Sequence, residues 1–294
     1  MKKLTLLIIM SMFLFNTSAQ KQKYKVGIVL SGGGALGFAH IGALQALEDC
    51  GIYPEIVAGA SMGSIVGAFY ANGYRPNEIY EFIKNEKFDH PINILAPTLK
   101  RGQLGLSSQK NVLKVLTKYI PHNTFEELKL PLFICVTNLT TGKAEFVNQG
   151  ELIPYILASS AIPTVFEAVD INDMVYVDGG VLNNFPAQAI RKECTLLIGV
   201  DVKPDYEFTQ ANNIKDILMR SLQLVISENS QAGRQLCDVL IEPQSNVKYD
   251  EFSFKNFKKI YHDGYVSMKK YLDAHPEMWQ KLAKQPEKTK TKKK

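Results

Sequence analysis

Ser61 stands between two glycines in Gly59-Ala60-Ser61-Met62-Gly63, after the apolar stretch Glu55 to Ala58 and ahead of a helix-like run from Ser64 to Asn72. Gly-x-Ser-x-Gly at a strand-to-helix turn is the nucleophile-elbow pattern. The serine is held in a strained backbone conformation, and Gly59 and Gly63 leave room for the neighbouring chain. The hydroxyl then projects above the sheet at a helix N-terminus, whose dipole favours developing negative charge. A serine that only caps the next helix would account for Ser61, but not for both glycines and the preceding strand.

A serine nucleophile needs a base and donors for an oxyanion. The run Gly32-Gly33-Gly34 follows the apolar stretch Lys25 to Leu30, and backbone amides without side chains can come close to a bound carbonyl. Gly33 and Gly34 are the first choices, with Gly32 beside them. Gly32, Gly34 and Gly37 also satisfy the dinucleotide fingerprint, but that reading requires an acidic residue ending the second strand, where this chain has Gly59-Ala60-Ser61. For the base there are two types. A Ser–acid–His order would use His262 or His275, both in a helical region without a glycine loop to present them. Asp178 instead opens the turn Asp178-Gly179-Gly180 directly after the strand Met174 to Val177, so a direct Ser61–Asp178 dyad fits better. Gly179 and Gly180 shape that turn. A free aspartate is a weak base, with a pKa of about 3.9, so the dyad requires a desolvated site.

These groups need elements to hold them. Strand, glycine turn and helix follow one another twice, with a first helix from Leu36 to Cys50, and read as βαβα with parallel strands. Further apolar runs at Leu132 to Val136, Met174 to Val177, Leu196 to Val200 and Val239 to Ile241 alternate with helical stretches at Ser108 to Ile120, Leu152 to Ser159 and Ile214 to Gln235. Helical patterns also fill about Phe254 to Lys284. The fold class is α/β, a three-layer α/β/α sandwich around a largely parallel sheet. All three glycine motifs fall at C-terminal strand ends, the edge where open parallel sheets bind ligands. His90 to Ser107, rich in Pro, Leu and Gly, reads as a surface connection or a lid.

Ser31-Gly32-Gly33-Gly34-Ala35-Leu36-Gly37 with His40-Ile41-Gly42, then Gly59 to Gly63, Ala158-Ser159-Ser160-Ala161-Ile162-Pro163 and Asp178-Gly179-Gly180-Val181-Leu182-Asn183-Asn184-Phe185-Pro186 together resemble the patatin-like phospholipases, in the right order over about residues 24 to 202. The resemblance implies an α/β/α fold and lipid acyl hydrolysis by a Ser–Asp dyad without metal or other cofactor. It carries the nucleophile onto Ser61, the base onto Asp178 and the oxyanion hole onto Gly32 to Gly34. Leu36 stands where the family commonly has Arg or Lys, so a positive charge beside the hole is missing. The implied substrates are phospholipids or other lipid esters. Carboxylesterase or thioesterase action on small soluble esters, and lipid binding with weak catalysis, are the alternatives.

The chain has 294 residues, 46% of them hydrophobic and 21% charged, with a formal charge of +5. That is an ordinary globular composition. Lys2 and Lys3, the apolar run Leu4 to Phe15 and the small residues up to Ala19 read as a secretory signal peptide, too short for a helical membrane anchor and implying export to a periplasm or the medium. Lys288, Lys290, Lys292, Lys293 and Lys294 fall in a lysine-rich tail over residues 286–294, leaving one hydrolase domain over 20–285. Without Lys2, Lys3 and those five lysines, residues 20–287 carry −2. No stripe of cations interleaved with aromatics would track nucleic acid. The tail reads as a solvated, disordered end, with transient contact to an anionic membrane surface as the alternative. Cys50, Cys135, Cys194 and Cys237 permit two disulfides, but read as structural thiols; no CxxC or His-rich spacing signals zinc. His40 reads as a packing or hydrogen-bonding residue, Pro163 as fixing a turn near the site, and Asp201 as a strand-end residue close to it.

Overall fold

A computed structural model of the chain describes residues 22–86, 96–97, 107–203, 213–243, 248–280 and 282. The signal segment, the lysine-rich tail and most of the stretch from His90 to Ser107 lie outside the described residues. In chain order the strands are β1 Tyr24–Leu30, β2 Ile56–Ala60, β3 Ala96–Pro97, β4 Ser107–Ser108, β5 Leu132–Asn138, β6 Lys143–Val147, β7 Val169–Ile171, β8 Met174–Asp178, β9 Cys194–Val200 and β10 Val239–Ile241. The α-helices are α1 Phe38–Asp49, α2 Met62–Ala71, α3 Pro76–Asn85, α4 Lys110–Tyr119, α5 Ile153–Ser159, α6 Ile214–Arg234, α7 Phe257–Ala274 and α8 Pro276–Gln280.

The main sheet runs β10-β9-β1-β2-β5-β8-β7, with β6 also on β5. The βαβα reading of the N-terminal third holds: β1 and β2 are parallel, and so are β10–β9, β9–β1 and β2–β5. Beyond β5 the sheet turns antiparallel, through β8, β7 and β6. The parallel strands are buried on both faces, which is why they read as continuous apolar runs. Along β1, Ile28 and Leu30 enter the larger core, while Val29 enters a smaller one with Phe185, Ile190 and Leu197. Helices α1 and α7 cover the larger core. Their backbones nearly touch, because a Cβ on Gly42 would meet the Tyr261 carbonyl and one on Gly264 the Ala39 carbonyl.

One register places the site. Residues Leu132 to Cys135 of β5 pair with β2, and Val136 to Asn138 pair with β8. Because β6 pairs with Ile134 to Asn138 throughout, it must occupy the other edge of β5. Strands β2 and β8 therefore share one edge and meet end to end, with Ala60 opposite Cys135 and Asp178 opposite Val136. Asp178 reaches the serine turn on an antiparallel strand, not on a neighbouring parallel one as a uniform parallel sheet would have required.

Candidate active site

Ser61 follows β2 with φ 50 and ψ −124, a conformation unfavourable for any residue with a Cβ. Such strain persists only where the surroundings impose it. A Cβ on Gly59 would lie 2.5 Å from the Gly63 carbonyl oxygen, and one on Gly63 would run into the Leu30 carbonyl. The turn can close only with glycine at both places. Ser64 Oγ donates to the Ser61 carbonyl at 2.7 Å and fixes the start of α2.

Ser61 Oγ donates to Asp178 Oδ2 at 2.7 Å, and the other carboxylate oxygen accepts from the Gly180 amide at 2.8 Å. Both side chains are nearly buried, each residue 6% exposed. Burial pushes the Asp178 carboxyl up to about 7, against the opposing pull of the Ser61 hydroxyl and the Gly180 amide. That removes the weakness of a free aspartate, since a base works best when its pKa lies near the working pH. Gly179 is required by contact: a Cβ there would strike the Cys135 carbonyl of β5.

The glycine turn lies against the serine, a Cβ on Gly32 falling 3.0 Å from Ser61 Cβ. The Gly32 amide donates to the Asn184 carbonyl at 3.2 Å, so it is engaged elsewhere. The Gly33 and Gly34 amides have no acceptor among the described residues, and both glycines line a cleft with Ser61 and Asp178. His40 sits behind the turn, its Nε2 2.8 Å from the Ser31 carbonyl, and burial pulls its pKa down to about 4. It is a neutral donor to the loop. Neither His262 nor His275 lines a cavity bordered by Ser61; His262 faces a separate recess with Glu48 and Arg75. Asp201 is buried and bonded to Arg234 Nε at 2.7 Å, so it anchors α6 rather than facing the serine. Pro163 lines the cleft with Ile162. All four cysteines are free thiols, and burial pushes Cys237 up to about 12.

Two cavities meet at Ser61. The larger, about 890 Å³, is apolar and lined by Phe38, Ile65, Phe69, Ile79, Val112 and Phe166, among others. The smaller, about 530 Å³, carries Asp178, Asn184, Lys203, Gln223 and Glu251. An ester bound across the serine would have an almost wholly apolar chamber on one side and a more polar one, carrying charged and amide side chains, on the other.

Ser159 carries a role that its motif alone did not reveal. Fully buried on the last turn of α5, its hydroxyl donates to the Cys135 carbonyl at 2.7 Å and accepts from the Ser61 amide at 2.9 Å. It ties the strained residue to β5 directly. Ser159→Ala should leave the Ser61 amide and the Cys135 carbonyl short of a partner, lowering stability by about 1–3 kcal/mol. Chemical denaturation checks this.

A sequence profile described as Patatin-like phospholipase matches residues 28–190. An uncharacterized NTE family protein of Mycobacterium bovis is 31% identical over 166 residues, 56% of this chain and 45% of that protein. The lysophospholipase NTE1 of Yarrowia lipolytica is 31% identical over 181 residues, 60% of this chain and 12% of the yeast protein. The chain therefore spans less than half the length of either relative. Among solved structures, VipD from Legionella pneumophila superposes with a TM-score of 0.52 at 16% identity, over 86% of this chain and 67% of that one, a likeness of fold.

Proposed function

The chain belongs to the patatin-like phospholipase family, and from that premise we propose that it is a serine lipid acyl hydrolase of phospholipase A or esterase type. The observation that carries this reading is the buried 2.7 Å bond from Ser61 Oγ to Asp178 Oδ2, set between an apolar cavity and a second one that carries charged and amide side chains. Asp178 accepts the Ser61 proton as the hydroxyl attacks the ester carbonyl. The Gly33 and Gly34 amides receive the oxyanion, and protonated Asp178 then returns its proton to the leaving alkoxide. The acyl chain, now on Ser61, occupies the apolar cavity. Water, deprotonated by Asp178, attacks the acyl carbonyl; the bond to Ser61 Oγ breaks, Asp178 returns the proton to that oxygen, and the fatty acid leaves.

The acyl-side assignment predicts a chain-length series. Each methylene buried contributes about 0.8 kcal/mol, so kcat/KM should rise about three- to four-fold per added methylene until the chamber is full. Steady-state kinetics on a homologous ester series reads this. A flat series would place the acyl chain elsewhere.

A surface feature supports a lipid rather than a small soluble substrate. On α6, Ile214 (86% exposed), Ile217 (58%), Leu218, Leu224 and Val225 form an exposed stripe at helical spacing, and Val225 also lines the polar cavity. The stripe runs into the cleft mouth, where a lipid leaving a bilayer would enter. Amphipathic helices bury such faces in the headgroup region. Ile217→Asp together with Leu224→Asp should lower the ratio of vesicle to soluble-ester turnover about 100-fold or more, since two buried aliphatic side chains contribute about 3 kcal/mol or more. Concentration-dependent dimerisation through this face, with the ratio kept, would reject the lipid-surface role.

The deciding experiment is product analysis on mixed phospholipids and neutral esters, with the Ser61→Ala protein as control. A lysophospholipid is the first substrate to try, given the description of the yeast relative. Fatty acid released by the wild type and not by the control supports the proposal. Turnover confined to short soluble esters would favour a carboxylesterase, and equal turnover in both proteins would reject the serine mechanism.

A further inference from the structure

Lys203 is, among the described residues, the only cation lining either cavity at Ser61. It stands just beyond β9 and is 9% exposed, ion-paired with Glu251 in the segment before α7. Gly33 packs on Val202, with Leu36 and Lys203 beside it: a Cβ there would be 2.7 Å from Val202 Cγ2, 3.6 Å from Leu36 Cβ and 3.7 Å from Lys203 Cγ. The Leu36 flank is apolar and buried. The charge beside the glycine turn therefore comes from Lys203.

Its partner grips the same turn. The Glu251 carbonyl accepts from the Ala35 amide at 2.9 Å, and Gly34, at φ +54, fits so closely that a Cβ would strike that carbonyl. Lys203 is fixed in turn: its amide donates to Asp201 Oδ1 at 3.0 Å, while Asp201 Oδ2 accepts from Arg234 Nε. The end of β9, the base of α6, the segment before α7 and the two free amides thus form one connected arrangement. We infer that Lys203 and Glu251 act as a pair of positioning residues for the hydrolase, clamping the Gly33–Gly34 turn against Ser61 and setting the charge seen by Asp178. The inference rests on the proposed Ser61–Asp178 chemistry.

The two members act on Asp178 with opposite sign, Glu251 raising and Lys203 lowering its proton affinity. The remaining groups facing that carboxyl are the Ser61 hydroxyl, the Gly180 amide and Cys135, whose thiol burial and the Asp178 charge hold well above its usual range. Cys135 is neutral through the working range.

The test is the pH dependence of kcat/KM on p-nitrophenyl butyrate. Removing the cation with Lys203→Met should move the acid limb to higher pH, and removing the anion with Glu251→Gln should move it to lower pH. The two shifts should be opposite in sign and resolved from the wild-type limb. Lys203→Arg should restore the wild-type limb, and the double variant should lie between the single ones. A role limited to folding would move Tm without opposite limb shifts. Limbs that stay in place, or move in the same direction, overturn the inference.

A second readout separates failure of the clamp from failure of the mechanism. In a Ser61→Ala background, which does no serine chemistry, the Asp178 carboxyl is titrated by carbon-13 NMR with and without Lys203→Met. An upward shift supports the electrostatic role whatever the substrate proves to be. No shift rejects that role even if Ser61 is the nucleophile.

Discussion

Asp178→Asn should lower kcat/KM by about 10⁴-fold or more, the scale on which removing a base from a serine hydrolase acts. Replacing His262 or His275 should not. An asparagine keeps the shape of the side chain but has one acceptor oxygen for the Ser61 hydroxyl and the Gly180 amide, so the loss combines proton transfer with one hydrogen bond given up. In the wild type the active form is the carboxylate. Since burial lifts its pKa to about 7, kcat/KM should rise with pH through that value and level off above it. Activity kept by Asp178→Asn, or lost with either histidine, would restore a triad in place of the dyad.

The same substitution has an opposite effect on stability, and its sign can be worked out. The carboxyl titrates near 3.8 when unperturbed and about 7 in the folded chain. Between those values the native state holds a proton that the unfolded chain has lost, so stability falls as pH rises from about 4 to 7. Above pH 7 both states are ionised, and the folded protein carries the full penalty of a buried charge. Asp178→Asn should therefore stabilise the protein by on the order of 2–4 kcal/mol at pH 8 and by little at pH 4. Denaturant titration at the two pH values reads the difference. Equal effects at both would mean that the carboxyl is not the desolvated base.

Ser61→Ala is the second large effect, a loss of about 10⁵-fold in turnover, leaving only what the amides and the cavities contribute. The backbone adds a diagnostic. Residue 61 sits at φ 50 and ψ −124, so a serine there carries strain of about 1–3 kcal/mol that alanine shares. Glycine does not share it. Ser61→Gly should then be inactive but more stable than Ser61→Ala, by up to the strain released less the extra freedom glycine has when unfolded. Alanine and glycine variants of equal Tm would show that the elbow is relaxed.

The hydrogen-bonded pair Ser61–Asp178 was legible in the sequence because each member marks itself with glycines: Gly59 and Gly63 around the serine, Gly179 and Gly180 after the aspartate. Gly59, Gly63 and Gly179 answer contacts with backbone carbonyls and Gly180 a contact with the Asn184 side chain, and contacts that exclude a Cβ leave a trace in residue type. The parallel strands were legible too, from apolar runs buried on both faces. What stayed hidden lacked such a trace. The runs forming β6 and β7 carry exposed and half-buried positions and do not read as strands. The reversal of direction beyond β5 depends on pairing, not on local pattern. Gly32 belongs to the same glycine run as Gly33 and Gly34, yet its amide is taken by Asn184, 152 positions away in the chain. Ser159, Lys203 and Glu251 are common residue types whose importance arises only from what the fold sets beside them.

The end-to-end meeting of β2 and β8 on β5 has a consequence for how activity is acquired during folding. The elbow belongs to a local βαβ unit, but its base arrives on a hairpin 117 residues later in the chain. Contacts between such distant segments form slowly, because the intervening loop must be closed before any pairing rewards it. Refolding protein should thus regain helical circular dichroism ahead of ester turnover. The lag between the two would time the docking of β7–β8, with the enzyme's own chemistry as the clock.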